Sequence, residues 1–417
     1  MVKQELKEYS AAIANYEKAI SLKPDYYEAF YNKGIALIGL NQFTDAISTF
    51  NQTLKLEPDF AKAFNGLGHA NQELLRLTEA MSNYEKAILK DPKFADALWN
   101  KSLLKILLGE YPEGWSLYEH RWKVRKFKKE SRDFNQPLWL GENTIQNKII
   151  LIHAEQGLGD SIQFCRYIPM IESLGPRQII LEIPKPLTSI ISTVNSKTIL
   201  LEKGNPIPQF DLHCPMMSLP HAFRTTLDNI PAQIPYLNAD KNKVLDWSKM
   251  LGDPKNPRVG IVWSGSSNHP NDHNRSLLFK QLAPLLILPF EFHSLQKEIK
   301  AVDLVSLKNF KQIHQHQDNL IDFSDTAALI ENLELVITVD TSIAHLAGAL
   351  GKRVFILLPF VPDYRWMLDR NDSPWYPTAT LFRQPKLNDW ESVINQIKLA
   401  LESNLPPHDE VLGKKNA

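Results

Sequence analysis

Two short stretches of the chain carry residues that could hold an anion and accept a proton. Residues 153–160 read HAEQGLGD, directly after the apolar run KIILI, and a helix-like segment follows them. Glycine lets a backbone approach a ligand closely, so Gly159 could contact a phosphate. Asp160, at the start of the helix, is placed to take a proton from an acceptor hydroxyl. The alternative is a plain strand–helix turn in which Asp160 only caps the helix.

The second stretch is residues 336–358, VITVDTSIAHLAGALGKRVFILL. An apolar strand leads into Asp340, Thr341 and Ser342, whose side chains and N–H groups can cap a helix or hold phosphate. His345 lies one turn into the helix, on the face that it shares with Thr341. In a parallel α/β sheet such a turn lies at the carboxyl end of a strand, where ligands bind. The alternative is a capped turn with a buried, hydrogen-bonded histidine.

A third polar stretch, WSGSSNHPNDHNRSLLFKQLAPLL, follows the candidate strand at 258–263. Its His269, Asp272 and His273 could indicate a metal site, but no H-x-x-x-H pair lies on a helix face. A loop that delivers Arg275 to a diphosphate is the favoured interpretation, because a guanidinium offers a fork of donors and stays charged.

The elements that precede these stretches repeat with a period of 34 residues. Pro24, Pro58 and Pro92 mark the period. Small and aromatic residues recur at fixed places within it, namely Ala12, Ala46 and Ala80, then Tyr16, Phe50 and Tyr84, then Gly34 and Gly68. Small residues let two helices approach, aromatic residues fill the groove, and proline ends the second helix. The period resembles the tetratricopeptide repeat, and the first repeat is expected to lack its first helix.

From Lys148 onward, short apolar runs alternate with amphipathic stretches, which predicts a parallel α/β fold. The candidate strands are KIILIHA, QIILEIP, KTILLEKG, FDLHCPM, RVGIVWSG, FEFHSL, LELVITVD, RVFILLP and ATLFRQ. A proline-bearing region near residue 250 separates two lobes with a cleft between them. The predicted domains are repeats at 1–125, a linker at 126–147, a first α/β lobe at 148–250, a second α/β lobe at 255–402 and a polar tail at 403–417. The basic run KVRKFKKESR is predicted to be solvated.

The composition narrows the classes of partner. The chain has 417 residues, with 47 Lys+Arg against 47 Asp+Glu, so no global basic field points to nucleic acid or an anionic membrane. Two cysteines cannot build a disulfide framework or a four-ligand metal site. With no apolar run long enough to cross a bilayer and no signal-peptide pattern at the start, we expect a cytoplasmic protein.

GLGDSIQFCRYIP and TVDTSIAHLAGALGKRV resemble the motifs of glycosyltransferase family nine, the ADP-heptose:lipopolysaccharide heptosyltransferases. Closer still is the resemblance to bacterial proteins that fuse tetratricopeptide repeats to a family-nine-like module. The resemblance implies a GT-B fold, a pair of Rossmann-like lobes, with the acceptor side in the lobe at 148–250 and the nucleotide-sugar side in the lobe at 255–402. It also implies that Asp160 is the base, that Arg275 holds diphosphate, and that Thr341, Ser342 and His345 line the nucleotide site. Ser342 stands where these enzymes usually have glycine.

The sequence therefore favours an inverting, metal-independent glycosyltransferase. It would move a sugar from a nucleotide-diphosphate donor to a protein or glycan acceptor that the repeats recruit. No cofactor and no metal are expected, because fixed cationic groups and helix dipoles can neutralise the leaving group. The alternative is a non-catalytic scaffold, in which the repeats present a concave surface to protein partners and the α/β part is a degenerate glycosyltransferase-like domain.

Overall fold

The computed structural model describes residues 8–194, 198–267, 269 and 271–404. The chain forms two compact units. The first contains Met1–Arg132 together with Asp363–Met367, and the second contains the remaining residues. The region 126–147, predicted as a linker, is thus divided between the units at Arg132.

The first unit is an array of helices in which each helix packs against the next. Short 3₁₀ helices, Glu119–Lys123 and Arg125–Phe127, end the array, and a third, Tyr364–Trp366, joins it from far along the chain. The α-helices are α1 (Tyr9–Leu22), α2 (Tyr27–Gly39), α3 (Phe43–Leu56), α4 (Ala61–Glu73), α5 (Leu77–Lys90), α6 (Ala95–Leu107) and α7 (Tyr111–Tyr118).

The 34-residue period appears in both packing and backbone. A Cβ added to Gly34 would lie 2.5 Å from Cε1 of Phe50, so only glycine lets α2 and α3 approach this closely. Positive φ angles recur at Asn41 (58°), Leu75 (54°) and Gly109 (81°), each just after the first helix of a pair. The predicted helical repeat array is confirmed.

The end of the array is more ordered than its composition indicates. Val124 is buried, and the ammonium group of Lys126 lies 4.9 Å from the centroid of the Trp99 ring. The ring of Phe127 contacts the same tryptophan edge-on, at 4.8 Å between centroids. The prediction of a solvated basic run is therefore wrong for Val124, which is buried, and for Phe127, which packs on Trp99 of α6, whereas Arg125 and Lys126 are exposed.

Residues 363–367 complete this end of the array. The Tyr364 ring lies 5.9 Å from that of Trp115 and 6.3 Å from that of Tyr118, and Trp366 is fully buried. Tyr364–Trp366 also packs against α6. No periodicity in the sequence predicts this contact, since the segment lies in a loop of the second lobe.

The second unit contains two parallel sheets. Their orders are β3-β2-β1-β4 and β10-β9-β8-β5-β6-β7, which is the strand order of doubly wound α/β folds in both cases. The nine predicted strands are confirmed, whereas β7 was missed because it is short and lacks an apolar run. The strands are β1 (Ile149–His153), β2 (Gln178–Ile183), β3 (Ile199–Glu202), β4 (Leu212–Pro215), β5 (Arg258–Val262), β6 (Glu291–Ser294), β7 (Ile313–Gln315), β8 (Leu335–Val339), β9 (Val354–Leu358) and β10 (Ala379–Arg383).

Helices connect these strands. The α-helices are α8 (Leu158–Phe164), α9 (Ile168–Ser173), α10 (Thr188–Ile191), α11 (Leu219–Ala222), α12 (Lys241–Leu251), α13 (Asp272–Arg275), α14 (Ala283–Leu286), α15 (Ala301–Asn309), α16 (Phe323–Glu331), α17 (Ser342–Ala349) and α18 (Trp390–Asn404). The 3₁₀ helices are Cys165–Tyr167, Lys185–Leu187, Met216–Ser218, Leu227–Asn229 and Phe279–Leu282. Of the tail predicted at 403–417, the first two residues lie in α18 and residues 405–417 lie outside the described residues.

The topology determines where a ligand could bind. In the first sheet β1 pairs with β2 on one side and β4 on the other, and in the second sheet β5 lies between β6 and β8. The strand order reverses between β1 and β4 and between β5 and β8, and doubly wound sheets bind ligands outside the carboxyl ends of such strands. The turns after β1, β5 and β8 are the three stretches singled out from the sequence. Among the described helices, none is long and apolar enough to cross a membrane.

Three histidines stack on one another, one on β6, one on β7 and one directly after β7. The rings of His293 and His314 lie 4.7 Å apart between centroids, and Nδ1 of His293 lies 3.0 Å from Nε2 of His316. Burial, reinforced by the neighbouring imidazoles, lowers the pKa of His293 to about 3 and that of His316 to about 4. These two histidines are therefore neutral at physiological pH.

We expect the second unit to lose stability as the pH falls from about 6.5, the ordinary pKa of histidine, toward 5. In this window His293 and His316 bind protons in the unfolded chain but stay neutral in the folded protein. Above this window both side chains are neutral in both states, so they give the stability no pH dependence. His293 contributes a slope on the order of 1 kcal/mol per pH unit. Chemical denaturation at pH 7 and pH 5 measures it. His293→Gln should flatten the dependence and His273→Gln, an exposed control, should not; equal slopes in all three proteins would contradict the assignment.

Candidate functional site

The turn after β1, residues 154–160, is called here the first corner. Gly157 precedes α8 with extended backbone angles, φ −73° and ψ 171°. Its N–H donates to Oδ2 of Asp160 at 2.6 Å, so the aspartate closes the turn that carries it. The Asp160 side chain is half-buried. The hydrogen bond is what the capping interpretation predicts, and the role of Asp160 as a base stays a prediction.

The turn after β8, residues 340–345, is called here the second corner. Thr341 is the N-cap of α17, and its Oγ1 accepts from the N–H of Ile343 at 3.3 Å. Oγ1 of Thr338 lies 3.2 Å from Oγ1 of Thr341 and helps to fix it. Ser342, the first residue of α17, is half-buried. The helix start therefore presents the positive end of its dipole at the carboxyl edge of the second sheet.

The two corners meet. A Cβ added to Gly159 would lie 2.8 Å from Cδ2 of His345 and 3.4 Å from Cα of Ser342. Gly159 is therefore needed for the start of α8 to lie directly against the start of α17. Two residues far apart in the sequence, both selected from motifs alone, thus lie in contact at the edge where the two sheets end.

His345 is held by a tyrosine from the β9–β10 connection. The ring is 5% exposed, and Nδ1 lies 2.9 Å from the hydroxyl of Tyr376. Burial with a hydrogen bond is what the alternative interpretation of this histidine predicts. The same ring nevertheless forms the surface on which Gly159 rests, so its orientation determines how the two corners fit together.

The polar stretch after β5, residues 263–276, is called here the arginine loop. Nη1 of Arg275 donates to the carbonyl oxygen of Asp340 at 2.9 Å, which attaches the loop to the second corner. Nη2 lies 2.5 Å from the position that a Cβ on Gly265 would occupy, so glycine makes room for the guanidinium. Within the part of the chain that the structure describes, the buried Nε of Arg275 has no hydrogen-bond partner. The cation is thus fixed beside the start of α17 with donor capacity remaining.

Two buried carboxylates contact Trp263 and Arg275, near the two ends of the arginine loop. Asp272 accepts hydrogen bonds from Ser276 and Lys300, and its Oδ1 lies 3.7 Å from Nε of Arg275. Burial alone raises the pKa of Asp272, but the hydrogen bonds from Lys300 and Ser276 bring it below the ordinary value. Asp303 accepts from the indole of Trp263 at 3.0 Å. Because Ser276 and Lys300 already donate to its two oxygens, Asp272 positions Arg275 and is not itself a candidate base.

Sequence reasoning missed three residues at the junction of the corners. Arg166, Trp375 and Tyr376 are all buried, and Nη1 of Arg166 donates to the carbonyl of Trp375 at 2.8 Å. Their signal was present but weak: an arginine inside an otherwise apolar helical segment, QFCRYIP, and two adjacent aromatic residues in a proline-containing loop.

Other features lie away from the corners. A cavity of about 500 Å³ lies along residues 235–245 and beside Glu331 and Leu350. In the described ranges, no group of three or more His, Cys, Asp or Glu side chains is placed to hold a metal ion. The expectation of metal-independent chemistry remains a prediction.

Two kinds of protein-family model match segments of the chain. Residues 5–40 match the family model described as TPR repeat, and residues 31–92 match that of the tetratricopeptide repeat. Residues 317–364 match glycosyltransferase family 9 (heptosyltransferase). This segment includes the second corner, whereas the first corner and the arginine loop lie outside it. The chain is therefore similar to tetratricopeptide-repeat proteins near its start and to glycosyltransferase family 9 over residues 317–364.

One curated relative spans most of the chain. Protein FlbA of Caulobacter vibrioides is 25% identical over 324 residues, which cover 72% of this chain and 54% of FlbA. The chain thus spans about half the length of this relative.

Several solved structures resemble a smaller part. MamA is 23% identical, with 30% of this chain and 68% of that chain covered and a TM-score of 0.27. A thermophilic TPR protein of Thermus thermophilus is 20% identical, with 30% and 71% covered and a TM-score of 0.29. The first TPR of Spaghetti (RPAP3), bound to an HSP90 peptide, is 25% identical, with 25% and 82% covered and a TM-score of 0.24.

Proposed function

We propose that the protein is an inverting, metal-independent glycosyltransferase that uses a nucleotide-diphosphate sugar. The observation that supports the proposal is the contact of Gly159 with His345, which brings the turn that carries Asp160 and the start of α17 to one place. Arg275, attached to Asp340, adds a permanent positive charge there.

The reaction is a single displacement. The acceptor hydroxyl oxygen attacks the anomeric carbon while Asp160 takes the hydroxyl proton. A new carbon–oxygen bond forms on one face of the sugar as the bond to the diphosphate oxygen breaks on the other, which inverts the configuration. The diphosphate leaves with the electron pair, and Arg275 together with the N–H groups at the start of α17 stabilises its charge.

The acceptor is a protein or a glycan that the repeats recruit. Stacked helical repeats form concave surfaces that commonly bind protein segments. The aromatic residues of this array support such a surface: the Tyr27 and Tyr31 rings each lie 5.2 Å from that of Phe60.

The second candidate function is a non-catalytic scaffold. It is favoured because two polar side chains of the candidate site already have partners within the protein: Asp160 accepts from Gly157, and His345 pairs with Tyr376. Release of nucleoside diphosphate from a panel of nucleotide sugars separates the candidates, because a scaffold would release none.

We expect Arg275→Ala to weaken nucleoside-diphosphate binding by about 10- to 100-fold. Charge-assisted hydrogen bonds contribute about 1.5–3 kcal/mol, and each 1.4 kcal/mol changes the affinity about tenfold. Calorimetric titration with ADP, GDP and UDP measures the change. Arg370→Ala, which removes an ion pair to the exposed Asp372, is the matched control and should bind like the wild type. Equal affinity of the Arg275 variant would exclude the diphosphate role, and binding of none of the three nucleotides by the wild type would count against the donor site.

A further inference from the structure

Arg166 is a buried arginine that contacts three separate segments of the second unit. It lies in the 3₁₀ helix that follows α8 and is 4% exposed. Its Nε donates to the carbonyl of Gln163 at 2.8 Å, its Nη1 to that of Trp375 at 2.8 Å, and its Nη2 to the hydroxyl of Tyr236 at 2.9 Å. A fourth contact joins Nη1 to the carbonyl of Pro231 at 3.3 Å. The guanidinium thereby bonds the first lobe, the connection between the lobes and the β9–β10 connection.

Aromatic faces surround the same guanidinium. Its carbon lies 4.5 Å from the ring centroid of Tyr236, 4.7 Å from that of Tyr376 and 5.5 Å from that of Trp375. Carbonyl and hydroxyl oxygens together with ring faces thus balance the charge. Burying a cation is costly unless its donors are satisfied, and the planar fork of arginine matches acceptors in three directions, which the single ammonium group of lysine does not.

The contacts continue from Arg166 to the site. Tyr376, which lies against the guanidinium, reaches Nδ1 of His345 with its hydroxyl at 2.9 Å. His345 in turn is the surface on which Gly159 rests, and Gly159 belongs to α8, the helix that ends beside Arg166. The path therefore closes on itself, from α8 through Arg166, Tyr376 and His345 back to α8.

We propose that Arg166 is a positioning residue that fixes Tyr376, and through it the orientation of His345, so that the two corners keep their fit. Its effect on ligand binding rests on the proposed function, whereas its effect on His345 does not. We assign this role to Arg166 because its guanidinium donates both to the carbonyl of Gln163 in α8 and to the carbonyl of Trp375 in the β9–β10 connection.

The test compares Arg166→Lys with Arg258→Lys. Arg258 is a matched control, since it is also buried and bonds Glu291 and the carbonyls of Leu251 and Gly252 at the other end of β5. Nitrogen-15 NMR of the imidazoles, with the His345 signals assigned by His345→Gln, reports the tautomer and environment of that ring. Amide exchange reports the mobility of residues 342–349, and calorimetry reports nucleoside-diphosphate affinity.

We expect Arg166→Lys to shift the His345 signals, to raise exchange in residues 342–349 at least about tenfold, and to weaken nucleoside-diphosphate binding about tenfold. Arg258→Lys should lower the melting temperature while leaving all three readouts unchanged. Unaltered His345 signals and exchange in folded Arg166→Lys would overturn the proposal. If the wild type binds no nucleoside diphosphate, the donor-site proposal fails and the NMR and exchange results still decide the role of Arg166. Should Arg166→Lys not fold, Tyr236→Phe removes one acceptor of the fork and is judged by the same readouts.

Discussion

Asp160→Asn is expected to lower the rate of sugar transfer by about 10²–10⁴-fold, the usual contribution of a general base. Asparagine retains an oxygen that accepts from the N–H of Gly157, so the turn before α8 should keep its shape. The amide cannot accept the proton of the acceptor hydroxyl. Nucleoside-diphosphate affinity and melting temperature should therefore match those of the wild type. The measurement is the release of nucleoside diphosphate from the nucleotide sugar that the wild type uses.

Asp160→Ala separates the two roles of this residue. It removes both the cap and the base, and loss of a helix cap costs about 1 kcal/mol. If Asp160 only caps the helix, the asparagine variant will be as active as the wild type, and the alanine variant will show a small loss of stability. If both variants lose transfer but only the alanine variant is less stable, the base assignment holds. Full activity of Asp160→Asn would assign the residue to capping alone.

Trp366→Ala is expected to destabilise the helical unit by about 3–5 kcal/mol, the range observed when a buried tryptophan or phenylalanine is truncated. Trp366 is fully buried, and its segment packs on α6, beside the contacts of Tyr364 with Trp115 and Tyr118. Amide exchange should rise in residues 95–118, where the cavity opens, and remain unchanged in β5 and β8. Tyr26→Ala, which truncates an aromatic side chain that is 40% exposed, is the control and should change exchange little. Unchanged protection of residues 95–118 in Trp366→Ala would show that the array is complete without this segment.

The same contact bears on how the repeats can be tested for acceptor binding. A protein cut at Arg132 would leave Tyr364 and Trp366 without the helices against which they pack. Loss of transfer by such a fragment would therefore report misfolding as readily as loss of acceptor. Substitutions on the array, with the chain intact, give the cleaner experiment.

The repeat array and both sheets could be predicted because their signals are local. The 34-residue spacing of Pro24, Pro58 and Pro92 records helix pairs that contact their neighbours in sequence. Buried parallel strands appear as continuous apolar runs, which identified nine of the strands. The strand β7 has only Ile313 buried, so no apolar run marked it.

Residue types and local position also nominated the members of the candidate site. Gly159 and Asp160 follow a strand at a helix start, and Thr341 and His345 do the same in the second lobe, so a single turn of chain sufficed to select them. Local chemistry could not say whether these residues cap, pack or bind ligand, because one N-cap pattern serves all three purposes. Their roles in binding and catalysis remain predictions.

The sequence by itself thus determined the repeat helices, nine of the ten described strands and the side chains at the ends of those strands, since each depends on neighbours within one or two turns. Only the tertiary structure decided which of these ends meet: Gly159 on His345, Arg275 on Asp340, Arg166 on Trp375 and Tyr376, and Tyr364 on Trp115. These contacts join residues far apart along the chain, and they depend on close packing that leaves no periodic trace in the sequence. The contact partners of a buried arginine or tryptophan therefore cannot be identified from the residues next to it in the sequence.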